Sequence, residues 1–207
     1  MTTSTTELRT ITPVDITNEN FKEWGQVVRL PDADPNAVQV NQGTAQKFSH
    51  LAEFINLRPA HTDSANPNPT LATAKANIAI FKCYKPVETK TFGIRLLERH
   101  SYSSQMFMPM GGDGNGSYVI VTARNKVGED TPDLDTLQAF RCNNTLGINY
   151  KPNVWHHPMI VIEKPVQFMT ITYESGAPED CQEHWFKDDS KVNVSEEGHA
   201  AFVQLFD

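Results

Sequence analysis

Two short segments carry residue types that do acid–base or metal chemistry, at spacings that could bring them together. The first, TFGIRLLERHSYSSQMFMPM, holds Glu98 and His100 two residues apart, with Gln105 five positions further on. The second, GINYKPNVWHHPMIVIE, holds the adjacent pair His156 and His157. Successive side chains on a strand alternate between faces. Phe92, Ile94, Leu96, Glu98 and His100 would then form one row, apolar at its start and ending in a carboxylate and an imidazole. Burying such groups is costly unless they are paired, hydrogen-bonded or bound to a metal. The same alternation puts Trp155, His157, Met159 and Val161 on one face and His156, Ile160 and Ile162 on the other. Two adjacent histidines cannot both enter one cavity on a regular strand. A strand end emerging into solvent, or a plain Glu–His pair, remains the bland alternative.

The elements that would position these residues are mostly strands. Ala76 to Tyr84, Thr91 to His100, Ser117 to Ala123, His157 to Glu163 and Gln167 to Tyr173 read as strands rich in Ile, Val, Phe and Thr. GGDGNG (Gly111 to Gly116) and EKPV (Glu163 to Val166) supply tight connections. Thr17 is an N-cap for a first helix carrying Phe21 and Trp24 on one face and stopping at Gly25. A second helix is expected over Pro132 to Phe140, capped by Thr131, with Leu134, Leu137 and Phe140 near one face. A last helix is expected in the tail from Ser195, where Phe202 and Phe206 lie one turn apart. Residues 61 to 70 read as a surface loop. Many short strands with few helices favour a β-sandwich or barrel.

The 207 residues suit one domain. Acidic residues outnumber basic ones 25 to 18 and no stretch concentrates Lys and Arg, which argues against a nucleic-acid partner. No apolar run is long enough to span a bilayer, and MTTSTTELRTITP lacks the apolar stretch of a secretory signal. Cys83, Cys142 and Cys181 are an odd number with no disulfide-framework spacing. The chain is expected to be cytoplasmic, without a membrane partner.

The two chemical segments follow the cupin metal-site pattern in outline. Glu98, His100 and Gln105 fill the slots of a first motif, His-x-His followed by Glu. Pro152, Val154 and His157 fill those of a second, Pro-x-Gly-x-x-His. Glu replaces one His, Gln replaces the Glu and Val replaces the turn Gly. Glu98, His100, Gln105 and His157 could hold a borderline divalent ion through N and O atoms. The same groups could equally line a metal-free pocket.

A more specific resemblance lies in ERHSYSSQMFMPM (Glu98 to Met110) and GINYKPNVWHHPM (Gly147 to Met159). They resemble the two signature blocks of the ureidoglycolate lyase family, with Ser101 and Ile148 standing where that family usually has Pro and Val. VNQGTAQKF (Val40 to Phe48) also fits, and the resemblance covers most of residues 10 to 185. It implies a mainly β, cupin-like β-barrel of jelly-roll type with a few short flanking helices. It also implies a homodimer and a reaction that splits (S)-ureidoglycolate into glyoxylate and urea in allantoin degradation. A divalent ion, Ni or Mn, is implied by the resemblance alone.

That reaction needs a base for the substrate hydroxyl, donors to help urea leave and a positive partner for the carboxylate. His100 or His157 suits the base, with Glu98 orienting His100 and Gln105 matching the planar urea group. Ser104 and Asn149 are candidates for neutral hydrogen bonds. Lys47, Lys82 and Lys151 are candidates for the carboxylate, and His156 for an adjacent supporting role. Another cupin metalloenzyme, a dioxygenase or an isomerase, and a non-enzymatic barrel that binds a small acid are the competing readings.

Overall fold

The computed structural model describes residues 8–31, 37–58, 74–186 and 199–206. The loop expected over 61–70 lies outside the described residues. β1 (Thr10–Ile11) and β2 (Val14–Asp15) lead into one helical turn, α1 (Asn18–Phe21), and then β3 (Gly25–Val28). β4 (Val38–Val40) and β5 (Ala45–Lys47) form a hairpin. Next come β6 (Lys75–Cys83), β7 (Thr91–Ile94), β8 (Leu96–Arg99), β9 (Gln105–Pro109), β10 (Ser117–Asn125) and β11 (Pro132–Asn143). β12 (Gly147–Tyr150), β13 (Trp155–His156), β14 (Ile160–Ile162), β15 (Val166–Glu174), β16 (Gln182–Trp185) and β17 (Ala201–Gln204) follow.

The fold is mainly β, as expected, but its sheets do not close into a barrel. They stack instead. A seven-stranded sheet, β16-β8-β13-β10-β11-β2 with β14 also on β10, lies in the middle. One of its faces meets the five-stranded sheet β3-β12-β9-β15-β6, and the other meets the small sheet β1-β17-β7. β10 shows why. Tyr118 and Ile120 pack with Phe107, Ile148 and Phe168 of the five-stranded sheet, while Val119 and Val121 pack with Ala201 and Val203 of the small one. A strand covered on both faces reads as a continuous apolar run, which is what YVIV is.

Thr17 does cap α1, in a reciprocal pair with Asn20, and the turn buries Phe21 and Trp24. Gly25 is then required: a Cβ there would lie 2.1 Å from the Asn149 carbonyl oxygen of the crossing strand β12.

The helix expected over Pro132 to Phe140 is strand β11. Its pairing with β10 shifts between Thr122↔Gln138 and Arg124↔Asp133, so β11 carries extra residues there. That bulge lets Leu134 and Leu137 pack on the same side at a spacing of three, which mimics a helical stripe. The helix expected in the tail is likewise absent from the described residues there, because Ala201–Gln204 pairs with β1 and β7 as β17.

The strand expected over Thr91 to His100 is two strands in two sheets, β7 on β17 and β8 on β13 and β16. The chain crosses between them at Arg95, and Ile94 and Leu97, three apart, both enter the core under the small sheet. Glu98 and His100 therefore do not continue the row of Phe92 and Ile94.

Candidate active site

β8 and β13 meet at one rung. Glu98 lies opposite His156, and His156 lies opposite Thr122 on β10, so these three side chains share the face toward the five-stranded sheet. The neighbouring residues Leu97, Trp155 and Ala123 go the other way, into the core under the small sheet. Arg99 fixes β8 on that same far side. Its guanidinium lies 4.4 Å over the Trp155 ring and donates to Gln182, Asn125 and Asp130 at 2.9, 3.0 and 2.6 Å.

His100, one residue past the end of β8, closes on this rung. Ligand atoms of Glu98, His100 and His156 all lie within 4.8 Å of one another. The three rings Tyr150, His156 and His100 are stacked: Tyr150 on His156 at 4.1 Å and 15°, and His156 on His100 at 5.8 Å and 24°. The imidazoles are locked at their far nitrogens. His100 Nδ1 lies 2.5 Å from the Asp180 carbonyl oxygen, and His156 Nδ1 lies 3.0 Å from that of Val154. A carbonyl only accepts, so each Nδ1 carries the hydrogen and each Nε2 presents a lone pair to the cluster. Both Nε2 atoms are buried without a hydrogen-bond partner. Glu98 Oε1 stands 3.4 Å from His156 Nε2, outside hydrogen-bonding geometry. Glu98 Oε2 is 4.0 Å from the Cys181 thiol, which donates to it weakly.

More orphaned polar atoms surround the cluster. Gln105 sits opposite Tyr150 and Thr172, so all three share the inner face of the five-stranded sheet. Gln105 Oε1, Tyr150 Oη and Thr122 Oγ1 are buried without partners. Native proteins leave few such groups, and a set of five in one place marks a site built for a ligand.

Behind His100, the Asp180 carboxylate accepts from the backbone N–H groups of Ser175, Gly176 and Ala177 and pairs with the buried Arg58. These bonds hold the carbonyl that orients the imidazole. Burial pushes the His100 pKa down, and the neighbouring His156 adds to this against the opposing pull of Asp180 and Glu98, so the ring is neutral near pH 7. Burial alone would raise the Glu98 pKa. The imidazoles of His156, His100 and His157 outweigh it and hold the carboxyl below its usual range.

The residues singled out in the sequence separate into groups. Glu98, His100 and His156 come together, and Gln105 shares the adjoining inner face. His157 does not join them. Its ring packs edge-on against Phe92 at 5.3 Å, on the side of the small sheet, and its Nδ1 donates to the Pro158 carbonyl at 2.6 Å. Ser104 is engaged with Ile55, through Oγ and through its own N–H, both at 2.9 Å. Asn149 points to the outer face of the five-stranded sheet, where its Nδ2 donates to Gln26 and Glu53. A cleft of about 400 Å³ opens there, lined in part by Lys22, Gln26, Asn149 and Lys151. Lys151 donates to the backbone carbonyls of Lys22 and Glu23. Lys47 is exposed in the β4–β5 hairpin, and Lys82 is exposed on β6. Among the described residues none of these lysines contacts the cluster.

Two orphaned imidazole nitrogens and a carboxylate oxygen, mutually close, fit a borderline divalent ion with open positions for a ligand. Stacked sheets with such a cluster between them define a mainly β protein with a candidate acid–base or metal site. The chain belongs to the ureidoglycolate lyase family, whose model matches residues 8–193. It is 33% identical to the ureidoglycolate lyase of Pseudomonas syringae pv. tomato over 185 residues, 89% of this chain and 95% of that one. It is also 33% identical to the one from Pseudomonas entomophila, over 89% and 96% of the two chains. Among solved structures, it is similar to a dTDP sugar isomerase from Desulfovibrio desulfuricans, with 12% identity, a TM-score of 0.38 and coverage of 77% and 83%.

Tyr150, Asp180 and Arg58 were not legible as site residues. Tyr150 shares a strand face with Ile148, as a packing residue would. Asp180 acts through its backbone carbonyl, which no side-chain pattern reveals.

Proposed function

We propose that this chain cleaves (S)-ureidoglycolate to glyoxylate and urea. The substrate carbon carries a hydroxyl, a ureido nitrogen and a carboxylate. In the metal-free protein, His100 Nε2 takes the hydroxyl proton as the C=O bond forms. The C–N bond breaks with its electron pair going to the ureido nitrogen. The proton taken by His100 passes, by way of the His156 Nε2 lone pair beside it, to that nitrogen and completes urea, and Glu98 stabilises the imidazolium while a ring carries the proton. Gln105 and Tyr150 Oη are suited to hydrogen bonds with the planar ureido group.

A divalent ion, Ni or Mn, would be held by Glu98, His100 and His156, and would polarise the hydroxyl and carboxylate oxygens. A nitrogen that binds metal is not a base, so the two uses of His100 Nε2 exclude each other. The family resemblance supports a homodimer.

The observation that carries this reading is the pair of orphaned Nε2 lone pairs facing one carboxylate. Its test is incubation of the purified protein with (S)-ureidoglycolate, quantifying urea, ammonia and glyoxylate with and without a chelator. Urea and glyoxylate in equal amounts are expected. Ammonia in place of urea would make the reaction hydrolytic, and binding without turnover would leave only a small-acid-binding protein. Loss of turnover on chelation, restored by Ni or Mn, would give the metal role over the base.

A further inference from the structure

The two outer faces of the stack are treated differently. The outer face of the seven-stranded sheet is covered by β1, β17 and β7. Across the five-stranded sheet, Ile78–Ile171–Met106 and Ile80–Met169–Met108 form two apolar rows on the outward face. They end at β6, whose first eight residues are all exposed. Ile78 is 65% exposed, Ile80 56% and Phe81 41%.

β6 is also a free edge. It pairs with β15 over nine consecutive rungs, and among the described residues its other side has no strand partner. Protein edges of this kind are normally blunted by charge, proline, bulges or shortness. This one has nine residues, no proline and an unbroken register, and Ala76 to Phe81 carry no charge. A backbone edge of that length calls for a strand, and the sequence KANIAIFKC suits its own copy.

We propose that β6 pairs antiparallel with β6 of a second copy about a two-fold axis at Ala79, joining two five-stranded sheets into one of ten strands. In that register Ile78 faces Ile80 of the second copy on the outward side, and Asn77 faces Phe81 on the inward side. Ala76 faces Lys82 and Lys75 faces Cys83, so no lysine lies opposite a lysine. Cross-strand apolar pairs of this kind stabilise a sheet, whereas opposed like charges would not. The interface is isologous and closes at two copies. It gives a place to the homodimer proposed above, but its argument stands on β6, and turnover is not its readout.

The test is the mass of the full chain by sedimentation velocity at micromolar concentration, expected near twice 23.2 kDa. The double variant Ile78→Lys/Ile80→Lys alters side chains that one copy already exposes, so its circular dichroism is expected to be unchanged while its mass falls to 23.2 kDa. In a Cys83→Ser/Cys181→Ser background, Ala79→Cys is expected to cross-link two copies on mild oxidation, and Ala76→Cys is not. A wild-type mass of one copy throughout would overturn the pairing and leave the edge to another occupant. So would a dimer that the lysines leave intact and that Ala79→Cys does not cross-link. Should the double variant fail to fold, the cross-linking pair decides alone.

Discussion

His156 and His157 are neighbours in the chain and sit in different layers of the molecule. His156 turns toward the five-stranded sheet, sandwiched between Tyr150 and His100, with its Nε2 orphaned beside Glu98. His157 turns toward the small sheet and packs against Phe92. The same side chain thus serves two purposes one residue apart. What separates them is strand alternation on a sheet buried on both faces: one face opens on a ligand site and the other on apolar packing. Chemical type nominates both rings, and only their surroundings distinguish them.

The largest expected effect that sharpens this contrast is on turnover. His100→Ala, on the His156 side, should lower it by roughly two to four orders of magnitude, read as urea release at saturating substrate. Near-normal turnover would take the stacked imidazoles out of the chemistry. Glu98→Gln should next weaken Ni binding, measured by calorimetry, by at least the roughly 10- to 100-fold that loss of even an outer-shell partner causes. An unchanged affinity would place the ion elsewhere.

On the other side of the strand, burial pushes the His157 pKa down to about 4, against about 6.5 when unfolded. Between those values the unfolded chain binds the extra proton and the folded chain does not. Stability is therefore full above about pH 6.5 and falls as pH drops toward 4, by up to about 3 kcal/mol. His157→Phe should flatten that part of the stability–pH curve, measured by urea denaturation at several pH values. A slope that survives the substitution would mean that His157 is not the group titrating. The smallest effect is Phe92→Leu, which loses one edge-on ring contact and should cost about 1 kcal/mol with turnover unchanged.

Much of the fold was legible because period two is a strong signal where strands are long. β6, β10 and β15 fall close to their expected bounds. It failed where backbone irregularity shifts the phase. The bulge in β11 places Leu134 and Leu137 as a helix would, and the crossing at Arg95 breaks a row that looked continuous from Phe92 to His100. Pro158 resets the phase again, so that Ile160 and Ile162 join the core on the His157 side.

The site was legible as two segments with the right donors, Glu98 with His100 and His156 with His157. Which histidine enters it was not, because β13 is two residues long and alternation gives relative faces but never the absolute one. The lysines illustrate the same limit. Lys82 does share a face with Ile78 and Ile80, but that face looks outward.

The central claim is that His156, and not His157, works with His100 and Glu98. The most direct measurement is the rate of urea release by His156→Ala and His157→Ala, side by side at saturating (S)-ureidoglycolate and pH 7.5, with folding of both checked. A loss of about 100-fold or more in the first is predicted, and less than about tenfold in the second. The reverse order, or equal losses in two folded variants, would contradict it.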